Sequence, residues 1–388
     1  MKKKYYSTWP NYSNEIISSV TNVLKSGNVN YLQGNYGRKF EYNFKHKFNL
    51  KHTCVVANGT LALEIALLSL KLKKNDEVIV TPRSYNSSAS SVLRVQSKPI
   101  FADIDNHSFN LTADTIKKKI TSKTKAIILV HLYGMPCNMD EIMELAKKYK
   151  IKVIEDCSQA HGAKFKNRYV GSFGDISIWS FCNDKIISTG GEGGMISCKL
   201  KSTYDLIWSL KDIGKNLKKF YSKKKKYDYP YMHDFIGTNA RITEMQSVIG
   251  LKQLNKLNTF IALRNRNAKI LSRYLCEFKF INLPIIKKND THAFYRYTIT
   301  INFDQLKSKI NRNNLIKKII SKNIYCNVGG CPEIYLEKTF NKFVKKNRLP
   351  IAKDLNDKTI SFLVDHTISE KNMINISKKL KNIFLKIK

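Results

Sequence analysis

Between residues 52 and 200, short and solidly apolar runs alternate with amphipathic segments, and no other feature limits the fold of this chain so tightly. Thr53-Cys54-Val55-Val56 leads into Leu61-Ala62-Leu63-Glu64-Ile65-Ala66-Leu67-Leu68, whose apolar spacing is helical. Glu77-Val78-Ile79-Val80, a helical stretch over 87–96 and Pro99-Ile100-Phe101-Ala102-Asp103-Ile104 come next. Ala126-Ile127-Ile128-Leu129-Val130, a helix over 139–149 and Lys152-Val153-Ile154-Glu155 complete the series. Strands this apolar, separated by helices, predict an α/β fold with a large, mostly parallel sheet covered on both faces. In such sheets ligands bind beyond the carboxyl ends of the strands. The Asn58-Gly59-Thr60 turn, Tyr85 and Asp156 all fall at such ends.

The rest of the chain reads differently. Residues 201–260 are helical in pattern, broken by Lys223-Lys224-Lys225-Lys226 and Tyr227-Asp228-Tyr229-Pro230-Tyr231, a stretch expected to be a solvated loop. From about residue 262 a long helix is expected to lead into a smaller α+β unit with Phe294-Tyr295-Arg296-Tyr297-Thr298-Ile299-Thr300-Ile301 as one strand. The expected division is a large domain over 1–260, with an N-terminal arm over 1–35, and a small C-terminal domain over 261–388. A chain of 388 residues is long enough to bury both cores.

Composition narrows the function. Apolar residues are 43% and charged residues 25%, ordinary for a globular chain. The formal charge of +38 is not ordinary, yet only 11 of the 68 basic residues are Arg. Nucleic-acid sites favour Arg for forked contacts to bases and phosphates. Here the charge is mostly Lys spread along the whole length, so it reads as a general compositional drift, though its field would also draw in an anionic small substrate. The eight cysteines form no CxxC pair and several lie in predicted buried strands, which fits reduced thiols rather than a disulfide frame or a metal site. Met1-Lys2-Lys3-Lys4 is followed by no apolar leader, and no run approaches the ~18 apolar residues of a spanning helix. A soluble, cytoplasmic protein is expected, with neither a membrane nor a nucleic acid as partner.

Chemistry concentrates at Lys185. It lies in Ser180-Phe181-Cys182-Asn183-Asp184-Lys185, shortly before Gly190-Gly191-Glu192-Gly193-Gly194. By default any one of 57 lysines is a solvated surface residue, and only this glycine-flanked frame singles it out. Asp156 ends an apolar strand, where a semi-buried carboxylate is costly without a cationic partner. A Schiff-base lysine and an acid that keeps a pyridine nitrogen protonated are the two groups that pyridoxal 5'-phosphate (PLP) chemistry needs. Gln159 can reach the same ligand. Gly59 and Thr60 open a helix, and first-turn amides with a hydroxyl make a phosphate cradle; an ordinary N-cap is the plainer alternative. Tyr85 could stack on a cofactor ring or be one more surface tyrosine. The lysine itself is expected to titrate near neutrality, lowered by desolvation beside a cationic ring.

These segments occur in a recognisable order. Asn58-Gly59-Thr60-Leu61-Ala62-Leu63, Glu155-Asp156-Cys157-Ser158-Gln159-Ala160-His161-Gly162-Ala163, Gly171-Ser172-Phe173-Gly174-Asp175, Ser180-Phe181 to Lys185, Gly191-Glu192-Gly193-Gly194-Met195 and Gly237-Thr238-Asn239-Ala240-Arg241-Ile242-Thr243-Glu244-Met245-Gln246 follow one another. Together they resemble the DegT/DnrJ/EryC1/StrS family of nucleotide-sugar aminotransferases, from Tyr31-Leu32-Gln33-Gly34 to near Ser369. The resemblance implies a type I, aspartate aminotransferase-like PLP fold and a homodimer with active sites at the interface. It implies that Lys185 carries the Schiff base, Asp156 binds the pyridine nitrogen, Gln159 meets the ring hydroxyl and Tyr85 stacks on the ring. Gly59, Thr60 and Ser180 would hold the phosphate, with Asn239 reaching across from the partner subunit.

The implied activity moves an amino group from L-glutamate to a keto-sugar nucleotide, here expected to be a 4-keto-6-deoxyhexose, for amino-sugar and cell-surface polysaccharide synthesis. A dehydratase branch of the same fold carries histidine in place of the lysine, and Lys185 counts against it; a non-catalytic regulatory relative is the third reading. The sequence departs from the family at Cys157-Ser158 and at Cys182-Asn183-Asp184. Segments 215–226 and 329–335 are expected near the sugar or nucleotide, and Arg241 is either an anion contact or half of a salt bridge.

Overall fold

The computed structural model describes residues 6–222, 231–342 and 348–388. Seven strands form the large sheet: β1 (His52–Val56), β2 (Glu77–Val80), β3 (Lys98–Phe101), β4 (Thr124–Val130), β5 (Lys152–Asp156), β8 (Ile176–Ser180) and β9 (Gly194–Cys198). A two-residue hairpin, β6 (Lys164–Phe165) and β7 (Arg168–Tyr169), stands apart from it. The order across the sheet is β1-β9-β8-β5-β4-β2-β3. The run from β8 to β3 is parallel, while β9 lies antiparallel between β1 and β8. The start of β9 therefore meets the ends of β1 and β8 at one edge.

The apolar alternation appears as expected. The helices are Gly59–Ser69, Ser87–Arg94 and Met139–Tyr149, and the strand interiors are buried except at Ile100 and Lys125. The strand expected over 99–104 stops at Phe101, and shortly after it Asp103 turns its carboxylate to the amides of Ile351 and Ala352 at 2.9 and 3.0 Å. The long helix starts earlier than read, at Leu257, and runs to Leu275. Lys223–Lys226 and the residues through Pro230 lie outside the described residues.

A second, antiparallel sheet follows, made of β10 (Ile281–Asn282), β11 (Tyr297–Ile301), β12 (Cys326–Asn327) and β13 (Thr359–Phe362) in the order β10-β11-β13-β12. Its own core includes Leu271, Leu275, Ile299 and Leu380. The strand expected over 294–301 begins only at Tyr297, because Phe294 adopts φ 47° and turns the chain. At that turn the second unit meets the first. The Ala293 amide donates to Gly134 O at 2.9 Å and the Arg296 amide to Tyr133 O at 3.4 Å. Gly134 has φ +96°, and a Cβ there would lie 2.9 Å from the Phe294 nitrogen, so only glycine admits this approach.

A buried polar brace fixes the end of β5. Glu155 accepts the amides of Gly171, Phe173 and Gly174 at 2.7, 2.8 and 2.6 Å, and His131 Nε2 lies 3.1 Å from it. The Cys137 amide donates to His131 Nδ1, so Nε2 is the nitrogen carrying the proton toward Glu155. Cys157 joins this group in space, but burial pushes its thiol up to about 12, which disfavours a metal-binding thiolate. With both carboxylate oxygens already taken, the cluster is structural.

Candidate active site

A cavity of about 710 Å³ opens at the carboxyl edge of the large sheet. Gly59, Thr60, Tyr85, Asp156, Gln159, Ser180 and Lys185 line it. Asn239 does not; it is exposed, and its backbone bridges to Asp212.

Each residue is delivered by a local cause. Asn58 caps the Gly59–Ser69 helix by accepting the Leu61 amide at 2.9 Å, which aims the first-turn amides of Gly59 and Thr60 outward, where no intrahelical carbonyl can satisfy them. Ser180 ends β8 directly alongside: a Cβ on Gly59 would sit 2.7 Å from Ser180 Cβ. Glycine thus keeps open a cradle of amides and hydroxyls suited to a phosphate.

Asp156, at the end of β5, is only 5% exposed. Its Oδ1 accepts the Ser158 amide at 3.0 Å. Burial raises its carboxyl above the ordinary value, against the pull of Ser158 and the Lys185 charge. A protonated ring nitrogen is the partner that would remove that penalty. Gln159 accepts the Tyr133 amide through Oε1 at 2.8 Å, which leaves its NH2 as the group available to a ligand oxygen. Tyr85 is 72% exposed, an uncovered ring at the cavity's edge.

Lys185 sits in a loop pinned at its base by Phe181 N to Gly193 O at 2.8 Å and Thr189 N to Phe181 O at 3.1 Å. From the far side, Trp9 Nε1 donates to the Lys185 carbonyl at 2.8 Å. Its Nζ lies 3.3 Å from Asp184 Oδ1 and 3.5 Å from the Tyr295 hydroxyl. Burial pulls the Lys185 ammonium down, but Tyr295 and Asp184 outweigh it and hold it above its ordinary value. The near-neutral amine expected from the sequence depends on a cationic cofactor ring; the protein's own Tyr295 and Asp184 act in the opposite direction.

Several lining residues escaped sequence reasoning. Asp184 registered only as an unusual lead-in to the lysine, although it accepts the Tyr295 hydroxyl and pairs with both Lys185 and Arg296. Tyr295 and Arg296 were read as strand. Gly329, Gly330 and Cys331, from the segment expected near the sugar or nucleotide, do line the cavity. The described part of segment 215–226 does not: Lys215 and Arg241 both pair with buried Asp212, at 2.8 and 2.6 Å, so Arg241 is half of a salt bridge. Among the described residues no helix is long and apolar enough to cross a membrane.

Residues 10–381 match the DegT/DnrJ/EryC1/StrS aminotransferase family. The chain is 35% identical over 353 residues to the GDP-perosamine synthase of Escherichia coli O157:H7, covering 91% of each protein. It is 31% identical to a UDP-N-acetyl-3-dehydro-alpha-D-glucosamine 3-aminotransferase of Acidithiobacillus ferrooxidans, covering 94% of this chain and 92% of that one. Among solved structures, an aminotransferase from Psychrobacter cryohalolentis superposes with a TM-score of 0.96 at 38% identity, over 98% of this chain and 99% of that one. Fold and site together define an aminotransferase of the type I, PLP-dependent class. The chain belongs to the DegT/DnrJ/EryC1/StrS family.

Proposed function

We propose that this enzyme moves an amino group from L-glutamate to a keto-sugar nucleotide, a 4-keto-6-deoxyhexose, in the making of amino sugars for a cell-surface polysaccharide. The observation that carries this reading is the placement of Lys185 and Asp156 in one cavity with a phosphate cradle between helix and strand ends. The perosamine synthase relative supports the sugar class.

Pyridoxal phosphate, when bound, supplies an aldehyde for covalent attachment and an electron-accepting ring. The protein does the rest. Gly59, Thr60 and Ser180 hold the phosphate through amides and hydroxyls. Asp156, desolvated and short of a cation, keeps the ring nitrogen protonated. The Gln159 NH2 donates to the ring hydroxyl, and Tyr85 covers one ring face. Lys185 would anchor the cofactor, and its amine, once freed by the incoming donor, would be the group that takes up and returns the donor's α-proton. Glutamate would leave as its 2-oxo acid with an oxygen taken from water, and the keto sugar would reverse these proton movements, release its carbonyl oxygen as water and leave with the nitrogen.

The enzyme is proposed to act in the cytoplasm as a homodimer, in which Asn239, exposed and outside its own cavity, completes the phosphate cradle of the opposite subunit. Incubation with glutamate and a panel of keto-sugar nucleotides, read by mass spectrometry, tests the reaction. The expected product gains nitrogen, and Lys185→Ala abolishes turnover. A product that loses oxygen without gaining nitrogen would make the protein a dehydratase, and no product with any keto sugar would make it a regulator.

A further inference from the structure

Arg296 is a guanidinium with little to hold. It lines the same cavity as Lys185, and its side chain is 16% exposed. Two aromatic faces fix its plane, Tyr295 at 4.7 Å and Tyr325 at 6.0 Å from the guanidinium carbon. Among the described residues its side chain makes no hydrogen bond, and the anion it pairs with is Asp184 Oδ2, 3.8 Å away. That carboxylate is already engaged by the Tyr295 hydroxyl and by Lys185. A fork of five N–H donors, mostly out of water, is therefore left with a distant share of one acid. Such a group is poised for a carboxylate or a phosphate.

Position chooses between the two. The cofactor's phosphate has its own cradle at Gly59, Thr60 and Ser180. A nucleotide sugar carries its phosphates on C1, across the sugar ring from a C4 ketone, and so away from the reacting lysine. In an α-amino acid the carboxylate is one bond from the carbon whose nitrogen would take the place of the Lys185 amine and whose proton Lys185 would remove. Arg296 and Lys185 share Asp184 and also the Tyr295 ring, whose centroid is 4.9 Å from Lys185 Nζ. Only the amino acid puts an anion that close to the reacting nitrogen.

We propose that Arg296 anchors the α-carboxylate of the amino-acid donor, exchanging its loose pairing with Asp184 for a forked contact with the substrate. This rests on the aminotransferase reading above, its C4 ketone included, and adds the residue that holds the donor's carboxylate. The exchange forms and breaks no covalent bond. Asp184 keeps the Tyr295 hydroxyl while the donor is bound, so the displaced acid is not left unpaired.

The test uses the cofactor-loaded enzyme and its Arg296→Gln and Arg296→Lys variants, checked for unchanged melting temperature. Calorimetry measures binding of glutarate, a dicarboxylate that lacks the reacting nitrogen, and separately of GDP, UDP and dTDP. Arg296→Gln should weaken glutarate binding about tenfold to a hundredfold, the range for charged hydrogen bonds, with Arg296→Lys in between. KM for glutamate should rise with kcat little changed, and the tightest nucleotide should bind within about twofold of the parent enzyme, since its phosphates lie elsewhere. Glutarate binding that is unchanged in Arg296→Gln, or as weak in the parent as in the variant, overturns the proposal. A loss that falls on the nucleotides would assign Arg296 to a phosphate instead. Borohydride labelling of the parent enzyme reports separately on the underlying reading, because it follows the cofactor at Lys185 whatever glutarate does.

Discussion

Asp184 Oδ1 stands 3.3 Å from the amine of Lys185, its neighbour in the chain, and together with Tyr295 turns a desolvated lysine into a stabilised ammonium. An ammonium cannot attack an aldehyde. Tyr295 also raises the lysine's pKa, and removing the carboxylate leaves Tyr295 alone against burial, which should lower it. Asp184→Asn, stripped of cofactor, is expected to capture added pyridoxal phosphate with a pH midpoint below that of the parent. Stopped-flow absorbance across the pH range measures it. A midpoint that stays put or rises would show that Asp184 does not set the lysine's proton affinity.

Asp156 should trade stability for function. Its carboxyl pKa is raised by burial from the ordinary 3.8, so a folding penalty develops as the pH rises past that value and is complete above the raised folded one. Asp156→Asn keeps an acceptor for the Ser158 amide and removes the buried charge. The cofactor-free variant should be more stable than the parent at pH 7 by about 1–3 kcal/mol, measured by denaturant titration, while its affinity for pyridoxal phosphate falls about tenfold or more. At pH 3 the stability gain should vanish.

Gly59→Ala tests the cradle sterically. The new Cβ would press to within 2.7 Å of Ser180 Cβ. Overpacking of this kind costs about 1–3 kcal/mol, and the same movement narrows the space meant for phosphate. Fluorescence titration should show weakened binding of pyridoxal phosphate but nearly unchanged binding of pyridoxal, which has no phosphate. Equal losses for both ligands would move the phosphate elsewhere.

The Glu155 brace predicts an acid-sensitive fold. Burial would raise this carboxyl, but the hydrogen bond and charge of His131 and the amides of Gly174 and Gly171 hold it below its ordinary value of 4.5. The stability it contributes is therefore complete above that value and is lost as the pH falls through the lower folded one. Glu155→Gln should cost about 2–4 kcal/mol at pH 7, because three buried amides lose a charged acceptor, and its penalty should shrink below pH 4. A pH-independent penalty would mean that the brace acts through shape alone.

The sequence announced what local order decides. Asn58-Gly59-Thr60, Asp156 and Lys185 each follow an apolar strand closely, so a parallel sheet carries them to one edge whatever else the chain does. The rest depends on packing between distant segments. Tyr295 and Arg296 carry the alternation of a strand, and nothing nearby in sequence betrays the positive φ at Phe294 that turns them toward Lys185. Asp184 was visible as an oddity, but its triple pairing needs Tyr295 and Arg296, more than a hundred residues on. Trp9, near the start of the chain, reaches the Lys185 carbonyl through contacts that no motif records. Asn239 carries a motif yet lies outside the cavity of its own chain.

Borohydride reduction of the enzyme saturated with pyridoxal phosphate, followed by peptide mapping, tests the central claim most directly. The 57 lysines make it a demanding choice. The account predicts one phosphopyridoxyl group per chain, on the peptide containing Lys185, and none in Lys185→Ala. A label on another lysine, or a saturated enzyme that takes up no label, would contradict it.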